Sequence, residues 1–238
     1  KELAECLASG AFASDVVVVD AGSRDDTVEI ARRSGARVAV EPWRGFGPQK
    51  TFAVGMAAHD WVLCLDADER LTPELAQAIG ALFGSGPPAH PAYAVARRNR
   101  FLGWLAHGEG YPDWNVRLFD RRRARWTDDP VHEHVVADGT VGRLAGDLLH
   151  ASAESIEDYV AKQNRYTTLQ AQAMHARGER AGLARLALSP LARFARFYVL
   201  RLGFLDGAAG FAHIAIGAFA SFLKYAKLRA LAQGEGKS

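Results

Sequence analysis

Only two cysteines, Cys6 and Cys64, occur in 238 residues, and a pair so far apart in sequence supplies neither a disulfide framework nor a thiolate metal site. A reducing cytoplasm is the simplest compartment for such a chain. Charge of one sign is missing too: 29 Lys and Arg against 27 Asp and Glu leave a net charge of +2, too little to point to nucleic acid. No internal repeat is visible, which leaves out solenoids and propellers. An uninterrupted apolar span is also lacking in the C-terminal region. Its stretch free of Lys and Arg, Leu202 to Leu223, contains Asp206, His213 and several Gly, whereas a membrane-crossing helix needs about 20 predominantly apolar residues. The chain opens at Lys1 without Met and without the basic, apolar and small-residue pattern of a leader, so a fragment is expected. Hydrophobic content of 49% and charged content of 24% exclude disorder, and the length suffices for a sizeable core.

The most informative feature that is present is an apolar run, Trp61 to Leu65, ending in Asp66 and Asp68. On a strand, residues i and i+2 share a face, so the two carboxylates are expected to approach one divalent cation together. Hard oxygen ligands suit Mg²⁺ or Mn²⁺, an ion that substrate phosphates complete. The plainer alternative is ordinary loop punctuation after a strand. Around this run the order reads helix 1–9, strand Asp15–Asp20, helix from Val28 to Gly35, strand Arg37–Val40, a Gly-rich loop from Pro42 to Pro48, and helix Gln49–Ala58 before the Asp66 strand. Such β-α-β-α-β alternation predicts a parallel sheet covered by helices, with ligands beyond the carboxyl ends of its strands. Asp20 and Asp66 both fall at such ends. After a helix from Pro73 to Phe83, shorter strands are expected at Tyr93–Arg98, Asn115–Phe119, Val131–Val136 and Gly142–His150, with Arg121–Arg125 as a turn. From Ser155 onward the pattern is helical, with a capped start.

The chain resembles the family 2 inverting glycosyltransferases with the GT-A fold. Three motifs in order carry the likeness: Val16 to Val19 with Asp20, Gly22, Ser23, Asp25 and Thr27; the helix start Gln49 and Lys50; and Asp66 with Asp68. More narrowly, Tyr111-Pro-Asp, Val116-Arg-Leu-Phe, Val131-His-Glu, Gly146-Asp-Leu-Leu-His and Asn164-Arg-Tyr-Thr-Thr are similar to the lipopolysaccharide core β-1,4-glucosyltransferase group. The resemblance implies an α/β, GT-A mixed sheet flanked by helices over residues 1–152 and a basic, apolar helical extension over 153–238. It also implies a first strand ahead of Lys1, which this chain does not include.

What the resemblance implies for single residues follows. Asp20, Ser23 and Asp25 belong to the nucleotide region, although Asp20, Asp25 and Thr27 also suit plain capping. Lys50 would meet a phosphate or base, or else be a solvated helix charge. Asp66 and Asp68 would hold the ion, with His150 as a further ligand or a structural strand-end residue. Inversion requires one carboxylate to take the acceptor proton. Glu133, with His132 beside it to tune its pKa, is the favoured candidate, ahead of Asp113 in an aromatic Tyr-Pro-Asp-Trp setting; the plainer alternative for either is a surface carboxylate paired to an Arg. Arg97, Arg98, Arg100 and Arg117 are candidates for contact with acceptor phosphates, Arg117 foremost, with a solvated hairpin face as the alternative. The donor would be a nucleotide sugar, UDP-glucose above all. The acceptor would be a lipid-linked glycan, on a lipopolysaccharide inner-core sugar or on polyprenyl phosphate; a non-catalytic nucleotide-sugar-binding module is the alternative of a different class. Between Gly182 and Ala232 seven Lys or Arg stand against one acid, Asp206. Such a basic apolar stretch predicts peripheral attachment to the anionic inner face of the cell membrane, with helix packing or dimerisation as the alternative.

Overall fold

In the computed structural model, residues 2–84, 86–108, 111–129, 133–151 and 155–234 are described. The chain forms two compact units, Lys1–Arg97 with Asp113–Ala151, and Arg98–Pro112 with Ser152–Ser238. The Arg98–Pro112 segment thus belongs with the C-terminal helices, although in sequence it interrupts the first unit.

The first unit is mixed α/β. Helix α1 (Glu2–Ser9) precedes β1 (Val17–Asp20), α2 (Thr27–Arg33) and β2 (Arg37–Val40). The β-branched run of β1 suits an extended backbone, and β1 pairs with β2 in parallel, Val17 opposite Arg37. Helix α3 (Phe46–Met56) starts three residues earlier than expected, because Pro48 falls in its first turn, where no N–H is needed. The sheet does not continue in parallel. Strand β3 (Trp61–Leu63) joins a five-stranded sheet of order β3-β6-β5-β9-β4, built with β4 (Glu69–Leu71), β5 (Ala92–Asn99), β6 (Asp113–Asp120) and β9 (Val141–His150). Here β3–β6, β5–β6 and β4–β9 are antiparallel. The parallel sheet expected from the β-α-β-α-β alternation is therefore corrected at β3, and the mixed strand directions are those that the resemblance implies. Trp61 to Leu63 finds its partners in Asp120 to Leu118, which arrive later in the chain and run the other way.

Helix α4 (Pro73–Gly84) covers this sheet through Leu75 and Ile79, which pack with Leu71, Val95, Leu118 and Leu148. A second cluster joins Val62, Phe119 and Trp126. Fully burying one such side chain contributes about 2 kcal/mol. Part of the arginine run expected as a turn is strand: β7 (Ala124–Trp126) pairs with β8 (Val135–Ala137). The strand expected from Val131 begins only at Val135, and Val131 and His132 lie outside the described residues.

The second unit is helical. Helix α5 (Ile156–Ala176) starts where Ser155 Oγ accepts the Asp158 N–H at 3.0 Å, with Glu157 and Asp158 in its first turn. Then come α6 (Leu183–Phe194), a π-helical turn (Ala195–Leu200), a 3₁₀ turn (Gly203–Asp206) and α7 (Gly207–Gly234). Ala171, Met174, Tyr225 and Leu228 form one core cluster of this unit, and Phe101, Leu105 and Tyr159 another.

Candidate active site

At the end of β1, buried Asp20 accepts the backbone N–H groups of Gly22 and Ser23 at 2.8 and 2.9 Å through Oδ2. Burial would raise its pKa, but the Ser23 hydroxyl together with these two backbone donors outweighs it and holds the carboxyl below its ordinary range. The turn needs Gly at 22, where φ is +96°. Asp20 thus fastens the loop and does not cap α2. Ser23 is exposed, and Asp25 spends one oxygen on the Thr27 N–H at 3.2 Å at the start of α2.

Asp66 and Asp68 follow β3 in a loop, since the strand ends at Leu63 and the Asp66 carbonyl closes a turn onto the Glu69 N–H at 2.9 Å. The shared-face expectation is corrected: a turn, not strand alternation, sets their directions. Asp66 meets Lys50 Nζ at 3.0 Å and Arg117 at 3.1 Å. Burial would raise the Asp66 pKa, yet the Arg117 and Lys50 cations bring it down to about 2. Asp68 meets His150 Nε2 at 3.2 Å, held there because β4 pairs Glu69 with His150.

Lys50 is the hinge of the cluster. Its Nζ lies 3.0 Å from Asp66 and 2.8 Å from Glu133, and sits over the Trp126 ring at 4.6 Å. A helix start, a strand-end loop and a residue 83 positions downstream of Lys50 therefore converge on one ammonium. Arg117, 4% exposed, is engaged by Glu69 at 2.5 Å as well as by Asp66. Burial opposes its charge, but the Glu69 and Asp66 carboxylates prevail and raise its pKa. Glu69, 1% exposed, also accepts the Asp66 backbone N–H at 3.0 Å. Asp113 pairs with Arg97 at 2.7 Å across β5 and β6, and Arg97 reaches Glu69 at 3.7 Å.

The structure therefore brings together Lys50, Asp66, Glu133 and Arg117, and separately Asp68 with His150. Asp113 stands apart from this group, in a part-buried pair with Arg97. Two residues escaped the sequence reading: Glu69, whose only signal is its place directly after Asp-x-Asp, and Trp126, hidden in an arginine run. As donors, two carboxylates and an imidazole suit a hard divalent cation. Among the described residues, however, no group of three or more His, Cys, Asp or Glu is gathered closely enough to hold one. Lys50 and Arg117 occupy the oxygens of Asp66 instead.

The first unit thus gathers carboxylates and fixed cations beyond strand ends of an α/β fold. The glycosyl transferase family 2 profile matches residues 1–139, and the chain belongs to that family of transferases. It is 36% identical to an uncharacterized glycosyltransferase of Rickettsia typhi over 228 residues, covering 91% of this chain and 78% of the relative. It is 32% identical to the lipopolysaccharide core biosynthesis glycosyltransferase LpsC of Rhizobium meliloti over 234 residues, covering 95% and 86%. The crystal structure of S. aureus TarS 1-349 is a distant likeness, at 13% identity and a TM-score of 0.43, covering 98% of this chain and 88% of that one.

Proposed function

We propose that this enzyme transfers a hexose, glucose from UDP-glucose, with inversion onto an inner-core sugar of lipopolysaccharide, and that it does so while attached peripherally to the inner face of the cell membrane. The convergence of Lys50 on Asp66 and Glu133 carries the donor half of this reading. The likeness to a relative named for lipopolysaccharide core biosynthesis supports the acceptor half.

Asp20 shapes the loop that would receive the nucleoside, with Ser23 and Asp25 beside it. Lys50 is the cation best placed to follow charge from Asp66 onto a diphosphate, because its two present partners are side chains and not backbone. Asp68 and His150, already in contact, with Asp66 two residues away, would hold a Mg²⁺ or Mn²⁺ ion, and Lys50 competes with that ion for Asp66. When bound, the ion supplies neutralisation of the negative charge that grows on the departing diphosphate. Glu133 is the proposed base. Lys50 Nζ, 2.8 Å away, holds its carboxylate in place to accept the acceptor proton, with Asp113 as the other candidate. Arg117 is too deeply engaged to bind substrate; it steadies Asp66.

The test is chemical. Purified enzyme given radiolabelled UDP-glucose and core-truncated lipopolysaccharide should label the lipopolysaccharide, and Glu133→Gln should abolish labelling while UDP still binds. Label that passes to polyprenyl phosphate, and not to lipopolysaccharide, would overturn the acceptor. Labelling undiminished in Glu133→Gln would overturn the base.

A further inference from the structure

We propose that Leu183–Leu205 of the helical unit is a docking surface for an anionic phospholipid bilayer. This sharpens, and rests on, the peripheral reading above, but it is independent of the donor chemistry. Neither α6 nor the π-helical turn buries any of its residues. Leu183 is 67% exposed and Leu200 78%, with Leu188, Leu191 and Val199 exposed between them. A water-facing run of this kind is the mark of a surface that meets an apolar phase.

The charge on the same segment selects that phase. Arg196 and Arg201 stand at 5.4 and 5.9 Å from the centroid of one ring, Phe197, whereas Arg193, at 5.5 Å from it, turns a buried Nε inward. No acid occurs between Glu179 and Asp206. Asp206 is itself occupied by the Ala106 and His107 backbone N–H groups and by the His107 ring. A soluble polyanion would satisfy only the arginines, and an apolar protein groove only the leucines. A bilayer with anionic headgroups meets both, hydrocarbon below and phosphate at the level of the guanidinium groups.

Helix α7 is the rival. Gly203–Gln233 is long and apolar enough, by length and composition, to cross a membrane. Yet Ile214, Ala218, Tyr225 and Leu228 are buried in the unit. Lys227 Nζ also lies 2.7–2.8 Å from four oxygens of α5, the Asn164 carbonyl and side chain and the Thr167 and Thr168 hydroxyls, among which its three N–H groups are shared. Drawing α7 into lipid would break that set, so α7 packs and Leu183–Leu205 touches the membrane.

Flotation of the full chain with vesicles of equal parts phosphatidylglycerol and phosphatidylcholine should show binding that pure phosphatidylcholine vesicles lack. Free inorganic phosphate should not compete. Arg196→Gln should weaken binding roughly five-fold, and Leu188→Ser with Leu191→Ser by more than roughly ten-fold. In case the serine variant misfolds, an environment-sensitive dye on Ala187→Cys gives a second reading and should shift to the blue on anionic vesicles. No flotation, undiminished flotation of both variants, or a dye that stays silent while the protein floats would each overturn the surface. Binding of UDP, measured without vesicles, tells such a failure apart from failure of the transferase reading.

Discussion

Glu69 is the residue on which the site turns, because it fixes two expected site residues, Asp66 and Arg117. It is a buried carboxylate fixed by Arg117 and by the Asp66 backbone, and removing one partner of a buried ion pair costs about 3–5 kcal/mol. Glu69→Gln should therefore lower the stability of the chain by about 3 kcal/mol in urea titration, and adding Arg117→Met should restore part of the loss, because the second change removes the stranded cation. Lys50→Met acts differently. It leaves this buried pair intact but takes away the ammonium between Asp66 and Glu133, and UDP binding should weaken about ten-fold while stability falls by less than in Glu69→Gln. The Asp66 pKa is depressed from the ordinary 3.8 to about 2. Its pairing with Lys50 and Arg117 therefore adds stability that is complete above pH of about 4 and fades as pH falls toward 2. Asp66→Asn should flatten the stability profile in that window.

At the scale of elements, α3 is held where it is by a close approach. A Cβ on Gly47 would stand 1.9 Å from the Thr127 carbonyl oxygen, a backbone atom that cannot step aside. Gly47→Ala should cost about 2 kcal/mol or more and weaken UDP binding together with stability, because the helix carries Lys50. In the helical unit, His213 of α7 is buried against Tyr159 of α5, with Tyr159 Oη and His213 Nε2 3.0 Å apart. Burial, aided by Arg193 and opposed by Asp206, lowers its pKa from 6.5 to about 4. Unfolded chains bind this proton first, so the unit should lose stability as pH falls from about 6.5 to 4, by on the order of 3 kcal/mol, and level off below. Melting curves of the wild type and His213→Gln across that range measure the difference. Elements with local signals were legible in the sequence: β1, α2 and β2 from a β-branched run and Gly35 at φ +81°, α5 from its Ser155 cap. What depended on distant partners was not. Strand β3 took its antiparallel neighbour from β6, and β7 emerged from an arginine run because Trp126 had a core to enter. No spacing rule joins Lys50 to a carboxylate 83 residues away.

Over the whole molecule, one unit presents a cluster of cations and carboxylates and the other an apolar, arginine-studded surface. The first belongs to the family 2 glycosyltransferase domain, and the second is the surface proposed above to meet a membrane. The central claim is that the Asp66 cluster binds a nucleoside diphosphate sugar. Calorimetric titration of UDP and UDP-glucose into the protein, with Mn²⁺ or with EDTA, tests it most directly when set beside Asp66→Ala and Asp68→Ala. The account predicts binding in the wild type that requires the metal and disappears in both variants. Saturable binding of either ligand that is indifferent to EDTA and to both substitutions would contradict it.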